Sequence, residues 1–365
     1  MSRIVFTVTN DLSYDQRMDR ICSTLALNGF DVLLVGRRRK KSISLEKRPY
    51  KQARMPMFFS EGKLFYLEYN FRLFFKLLFT RTDIICAIDL DTILPCYWVA
   101  KLRRKKQVYD AHEYFTEVIE VVGRPMVKKM WKLLERSIVP KLTFAYTVNE
   151  SLKQLYEKEY DVSFEVIRNM SSLREKEVAK DIEDPYIVYA GAVNEGRGLD
   201  ECIEAMQFLD CKLMICGDGD IMERLRDKVQ ALSLSEKVVF TGYLTPKELT
   251  KKINNAWLGV LLLENKGLSY YYSLANKFFD YIHAGIPQLT VGFPEYRILN
   301  AKHEVALLTP LDPSEIAKNV KRLLDDKELY DKLASNTLLA RKEWNWQNEA
   351  KKLVDFYKKV DQANM

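Results

Sequence analysis

The sequence predicts an α/β protein made of two doubly wound parallel-sheet domains, and three observations carry that expectation. Short runs rich in Val, Ile, Leu, Phe and Tyr alternate with stretches of helical period, the pattern of strands joined by crossover helices. These runs fall into two series of six. Between the series, "MSSLREKEVAKDIEDP" at 170–185 is charged and nearly free of large apolar residues, as a linker would be. The expected boundaries are an N-terminal domain over 1–168, a linker at 169–185, a second domain over 186–340, and a C-terminal helix within 341–365 that crosses back toward the first domain.

In the first series the expected strands are "RIVFTVT", "DVLLVG", "DIICAI", "QVYDA", "TFAYTV" and "FEVI". They are almost continuously apolar, which suits parallel strands covered on both faces. In the second series they are "YIVYAG", "KLMICG", "KVVFTG", "LGVLLL", "PQLTV" and "VALLT". Helical periods cover 15–28, 92–103, 126–137, 199–208, 221–232, 246–254 and 313–325, and a last one runs from Trp344 to Val360. The segment "SLANKFFDYIHAGIP" at 273–287 is a further helix. Ala275, Phe278, Phe279 and Ile282 form its apolar stripe, Ser273 is placed to cap its start, and Gly285 with Pro287 ends it. "FRLFFKLLFT" at 71–80 reads either as a buried helix with snorkelling ends or as a helix in a membrane interface, with Arg72 and Lys76 sharing one face.

A chain of 365 residues that is 47% hydrophobic and 29% charged folds, and disorder is not its default. It holds no apolar run long enough to cross a bilayer, and "MSRIVFTVTND" is too polar for a secretory signal, so a cytoplasmic protein is expected. Cys22, Cys86, Cys96, Cys202, Cys211 and Cys216 sit singly in apolar segments, which implies reduced thiols in cores. With only three histidines, none near another, a histidine metal site is not expected. The charge is lopsided: residues 1–150 carry 27 Lys+Arg against 16 Asp+Glu, and 151–365 carry 30 against 34. Basic clusters at 37–41, 101–106 and 126–136 are either solvated faces or sites for anionic lipid or nucleic acid. Aromatic residues are not interleaved with them as base-stacking platforms, which argues against nucleic acid.

In open parallel sheets, ligands bind beyond the carboxyl ends of the strands, so residues just after strands matter most. Gly191, Gly217, Gly219 and Gly242 stand there, where glycine serves equally a plain turn or a backbone brought close to phosphate. Asp110, His112 and Glu113 follow a strand in "YDAHEYF"; an imidazole there can be structural or can face a substrate. "DLD" at 89–91 and "DGD" at 218–220 mimic the acidic triplet that holds a divalent metal.

The succession "YAGAVNEGRGLDECIEAM", "KLMICGDG", "VVFTGYL" and "ANKFFDYIHAGIPQL" resembles the donor half of GT-B glycosyltransferases, more narrowly the retaining glycosyltransferase group 1, or family 4. "YDQRMDRICSTLALNGFDVLLVGR" and "AIDLDTILPCYWVAKLRRKKQVYDAHEYF" are similar to the first half of a bacterial branch. The resemblance implies two Rossmann-like domains facing across a cleft, and transfer of a sugar from a nucleotide diphosphate sugar to a glycan or lipid-linked acceptor in cell-surface polysaccharide synthesis. It implies no metal and no cofactor beyond the donor. Arg197 would meet the diphosphate. The family's second phosphate cation falls at Ala192, and Lys277 stands in for it. Asp280 matches the carboxylate that holds the ribose, with Asn276 nearby, and Tyr243 and Leu244 would contact the base. Tyr272 occupies the place of a glutamate that faces the transferred sugar, which leaves the sugar and the stereochemical outcome open. His112 would lie by the sugar, and Asp15 and Arg17 on the acceptor side. The resemblance also leaves room for peripheral contact with anionic membrane, and for a non-catalytic protein that binds nucleotide sugar or glycan, since Ala192 and Tyr272 depart from the family pattern.

Overall fold

A computed structural model of the chain describes residues 1–13, 15–173 and 185–363. It divides into two compact units, residues 1–169 together with the chain from Glu349 onward, and Met170–Asn348. Most of the stretch expected as a linker, 174–184, lies outside the described residues, as do 364–365.

The first unit runs β1 (Arg3–Thr7), α1 (Gln16–Leu27), β2 (Asp31–Arg38), β3 (Lys51–Pro56), α2 (Gly62–Phe79), β4 (Ile84–Ile88), α3 (Ile93–Arg103), β5 (Lys106–Ala111), α4 (Ile119–Val122), α5 (Pro125–Ile138), β6 (Phe144–Thr147), α6 (Glu150–Tyr160) and β7 (Glu165–Val166). Its sheet is parallel, in the order β3-β2-β1-β4-β5-β6-β7. The second unit runs β8 (Tyr186–Ala190), α7 (Leu199–Ala205), β9 (Lys212–Cys216), α8 (Met222–Ala231), β10 (Val238–Gly242), α9 (Pro246–Asn254), β11 (Leu258–Leu261), α10 (Leu268–Tyr271), α11 (Asn276–Ala284), β12 (Gln288–Val291), α12 (Pro294–Lys302), β13 (Ala306–Thr309), α13 (Pro313–Asp325) and α14 (Lys327–Glu343). Its sheet is also parallel, in the order β10-β9-β8-β11-β12-β13. Strand order reverses at β1/β4 and at β8/β11, and a crevice for ligand opens at such switch points.

The last helix, α15 (Trp346–Gln362), returns to the first unit. There Tyr357 is fully buried, its ring 5.7 Å from Phe6 and 6.3 Å from Tyr146. Lys106 Nζ donates to the Asp361 carbonyl, and the Arg168 amide donates to Glu349 at 2.8 Å.

Strand β3 was not anticipated. It is an edge strand whose Lys51, Gln52 and Arg54 keep other chains from pairing with it, so its sequence lacks the apolar signal of the central strands. The apolar helix expected from 71 begins instead at Gly62. Its side is split, with Leu73 and Leu77 buried and Phe71, Phe75 and Phe79 exposed.

The helix read at 273–287 also needs a correction. It starts at Asn276 with Ala275 in the capping position, and the Ser273 hydroxyl donates to the Tyr270 carbonyl at 2.8 Å instead of capping. The Tyr296 hydroxyl takes over at this end, accepting from the Ala275 amide at 3.1 Å. Gly285 ends the helix in the left-handed conformation, at φ 74.

Candidate functional site

The second unit gathers its expected residues at the carboxyl ends of β8, β9 and β10. The loop after β8 begins with Gly191 at φ 139, a conformation open to glycine and poorly tolerated by other residues. Lys277, in the first turn of α11, crosses directly over it: a Cβ on Gly191 would fall 2.2 Å from Lys277 Cε. The Lys277 ammonium stands 4.9 Å from the centroid of the Tyr189 ring. Arg197, later in the same loop, lays its guanidinium over Tyr270 at 5.2 Å, and its buried Nε has no hydrogen-bond partner.

Among the described residues neither Arg197 nor Lys277 forms an ion pair, yet the two cations are close enough to act on each other. Burial pushes the Lys277 pKa down to about 7; the charge of Arg197 adds to the fall and Asp280 opposes it. Two half-buried cations that feel each other's charge, neither in an ion pair among the described residues, are suited to hold an anion, and the amides at the start of α11 favour one as well. Asp280 lies one turn further along α11, half-buried, where its carboxylate accepts from the Ser171 hydroxyl. Asn276 is exposed at the first turn.

The other glycines answer to backbone. A Cβ on Gly217 would fall 1.9 Å from the Gly191 carbonyl oxygen, and one on Gly219 would fall 2.2 Å from Asn194 Oδ1. The Gly191 amide donates to Cys216 O at 2.8 Å, and the Gly217 amide to Gly242 O at 3.0 Å. Gly217 and Gly219 thus knit the loops after β8, β9 and β10 into one floor. Tyr243, just beyond β10, is 69% exposed and has a face free for stacking, whereas Leu244 packs partly against the core.

In the first unit, Asp15, Arg17 and His112 line one cavity of about 210 Å³ at the carboxyl ends of β1, β4 and β5. Their roles there differ. Asp15 caps α1, accepting from the Met18 amide at 2.9 Å, and also accepts from Asn10 Nδ2. Arg17 is buried and donates to the fully buried Asp110 at 2.6 Å, which holds its pKa above the ordinary value against the cost of burial.

Two carboxylates read only as a metal-triplet mimic prove central to this cavity. Asp89 sits at φ 55, a strained conformation for a non-glycine residue, and its carboxylate accepts from the amides of His112 at 2.9 Å and Glu113 at 3.2 Å. It also lies 3.8 Å from His112 Nδ1. Burial and the Arg17 charge both favour a neutral imidazole; Asp89 and Glu113 outweigh them and hold the His112 pKa above its ordinary value. Asp91 is buried, accepts from the Thr9 hydroxyl at 2.6 Å, and is pushed up to about 7 by burial and by Asp89. The available signal was position: both acids follow directly on a central strand.

Residues 172–339 match the family described as glycosyl transferases group 1. Over 186 residues the chain is 27% identical to an uncharacterized glycosyltransferase of Methanocaldococcus jannaschii, a match covering 48% of this chain and 45% of that one. The chain thus matches under half the length of this curated relative. Among solved structures, sucrose-phosphate synthase from Thermosynechococcus elongatus superposes with a TM-score of 0.82 at 16% identity, covering 100% of both chains. Anabaena HepE, solved with UDP-glucose, superposes with a TM-score of 0.75 at 12% identity, covering 98% of this chain and 100% of that one. At such identities the likeness establishes the fold, that of GT-B glycosyltransferases.

Proposed function

We infer that this chain, whose residues 172–339 carry a group 1 glycosyltransferase domain, moves a sugar from a nucleotide diphosphate sugar to a hydroxyl of a glycan or lipid-linked acceptor. The observation that carries the reading is that Lys277, lying over Gly191, feels the charge of Arg197 while neither cation forms an ion pair among the described residues, with Asp280 one turn along the same helix. The glycosidic bond to the diphosphate breaks, the acceptor oxygen bonds to the anomeric carbon, and the acceptor proton passes to the departing phosphate. Arg197, Lys277 and the start of α11 stabilise the charge that grows on that phosphate, so positioning and electrostatics do most of the catalysis. These cations supply the charge that a metal would otherwise bring, and the reading is metal-independent.

Asp280 accepts from the ribose hydroxyls, and Tyr243 stacks on the base. His112, steadied by Asp89, faces the sugar side, with Asp15 and Arg17 shaping the acceptor cavity. The family resemblance implies retention of the anomeric configuration, and Tyr272, at the place of the glutamate that faces the transferred sugar, leaves that outcome to be read from the product. Work on a membrane-borne acceptor places the protein at the inner face of the membrane, in cell-surface polysaccharide assembly. That a similarly folded protein was solved with UDP-glucose supports a nucleotide-sugar donor.

The test is a thermal-shift screen against UDP, GDP and other nucleoside diphosphates, followed by calorimetry on Arg197→Ala and Asp280→Ala. A specific nucleotide raises Tm, and both variants bind it more weakly while remaining folded. Unchanged affinity in both variants removes the site assignment. Slow nucleotide release from a panel of donor sugars separates turnover from the non-catalytic binding that Ala192 and Tyr272 leave as the rival reading.

A further inference from the structure

The crossovers β3–α2–β4, β4–α3–β5 and β5–α5–β6 all step in the same direction across the first sheet, so right-handed connections put α2, α3 and α5 on one side of it. The three helices adjoin. Tyr66 of α2 meets Trp131 of α5 edge-on at 5.6 Å, and Arg103 of α3 donates to the Leu77 and Thr80 carbonyls at the end of α2.

On α2 the core side is Phe65, Tyr69, Leu73 and Leu77. The opposite side of a surface helix is ordinarily polar. Here it shows Leu67, Phe71, Phe75 and Phe79 at four-residue spacing, with Phe79 82% exposed. On α3 the exposed stripe is Leu94, Trp98 and Leu102, again four residues apart. On α5 it is Met126, Met130 and Leu133, the last 68% exposed. Single exposed apolar side chains need no explanation, but three adjoining stripes mark an interaction surface.

Cations fringe this face. Lys76, Lys101, Arg104 and Lys129 form no ion pair among the described residues, and Lys101 lies over the Trp98 ring at 5.7 Å. Most neighbouring acids are engaged elsewhere: Glu68 holds Arg72 and the Phe58 and Phe59 amides, Glu117 holds Lys128, and Glu135 is buried, which leaves Glu120, exposed beside Tyr66, against the four lysines and arginines.

We propose that the face formed by α2, α3 and α5 is a docking surface for an anionic lipid bilayer. The helices lie in the plane of the interface, with their apolar stripes among acyl chains and their cations at headgroup level. Charge selects this occupant. Two copies of the face would bring unpaired lysines and arginines together, whereas anionic headgroups complement them. No described helix is long and apolar enough to cross a membrane, so the contact is peripheral. The surface deepens the membrane-borne acceptor of the transfer reading, but its physics does not depend on the donor site.

The test is flotation of the whole protein with vesicles of phosphatidylglycerol mixed with phosphatidylcholine, and with vesicles of phosphatidylcholine alone. The protein is expected to float with the anionic vesicles and far less with the neutral ones, and added salt should release it. Phe75→Asp with Phe79→Asp should lower the bound fraction about tenfold. Lys101→Glu with Arg104→Glu should erase the preference for anionic vesicles, and Leu339→Asp, at an exposed apolar position on α14, should change nothing. All these side chains are exposed, and unchanged unfolding curves would show that the variants fold. Absence of flotation, or equal flotation of every variant, overturns the proposal. So does a concentration-dependent dimer that the phenylalanine substitutions abolish without any vesicle binding. A UDP-induced thermal shift measured in parallel reports the donor site separately, so either reading can fail while the other stands.

Discussion

Lys277 is an amine held near neutrality in the free protein and placed where a diphosphate would restore its charge. Its pKa, lowered by burial to about 7, should climb back toward its ordinary value when phosphate oxygens replace the missing counter-charge. Nucleotide binding at pH 8 is therefore expected to take up a fraction of a proton. Calorimetry in buffers of different ionisation enthalpy reads that uptake, and Lys277→Met should abolish it. Losing one charged hydrogen bond costs about 1.5–3 kcal/mol, so the same variant should bind UDP roughly 10- to 100-fold more weakly. Gly191→Ala tests the floor beneath the lysine. Its Cβ would collide with Lys277 and adopt a strained φ, which should cost about 1–3 kcal/mol of stability and displace the ammonium, so UDP affinity should fall as well. Arg197, Lys277 and Asp280 could be named from the sequence only through the family resemblance, whose motifs fall on them; read alone, Lys277 and Asp280 look like any polar residues of an amphipathic helix. The roles of Asp89 and Asp91 could not, because they arise from a left-handed backbone and from contacts more than twenty residues away along the chain.

At the scale of elements, the candidate groups sit at the carboxyl ends of strands, Asp15, Arg17, His112 and Gly191 beside the points where strand order reverses, and sequence shows strands better than it shows order. The central strands were legible because burial on both faces leaves a continuous apolar run; the edge strand β3 was not, because its charges block pairing with other chains. The start of α11 was misplaced because the group that meets the amide of its capping residue Ala275, the Tyr296 hydroxyl, comes from another helix. Long-range pairs of this kind also decide which loops are rigid. Arg17, just inside α1, reaches Asp110 at the end of β5 and ties the first switch point together. Arg17→Met would leave Asp110 charged, buried and unpaired, a loss of about 3–5 kcal/mol. Urea unfolding should show that drop, whereas Lys51→Met, which breaks an exposed pair with Asp31, should move stability by about 1 kcal/mol or less.

For the whole molecule, two units with separate sheets and cores should melt as two calorimetric transitions, and their titrating groups should pull them in opposite directions with pH. In the unit holding residues 1–169, Asp91 keeps its proton up to about pH 7 when folded but loses it near its ordinary value when unfolded. The folded state thus binds more protons between those limits, so that unit loses stability as pH rises through them. The raised His112 pKa acts in the same sense: its contribution is complete below the unfolded value and fades as pH passes the folded one. In the other unit the folded state of Lys277 is the one short of a proton, from about pH 7 up to the ordinary lysine value, so stability there grows with pH over that range. Raising pH from 6 to 9 is therefore expected to lower one transition and raise the other. Asp91→Asn should flatten the falling slope and Lys277→Met the rising one. UDP should move only the transition that Lys277→Met affects. Tyr357→Ala, which empties a fully buried site beside Phe6 and Tyr146 at about 3–5 kcal/mol, should depress only the transition that Asp91→Asn affects. If UDP shifted both transitions equally, or if the two slopes shared a sign, assigning these groups to independently titrating units would be wrong.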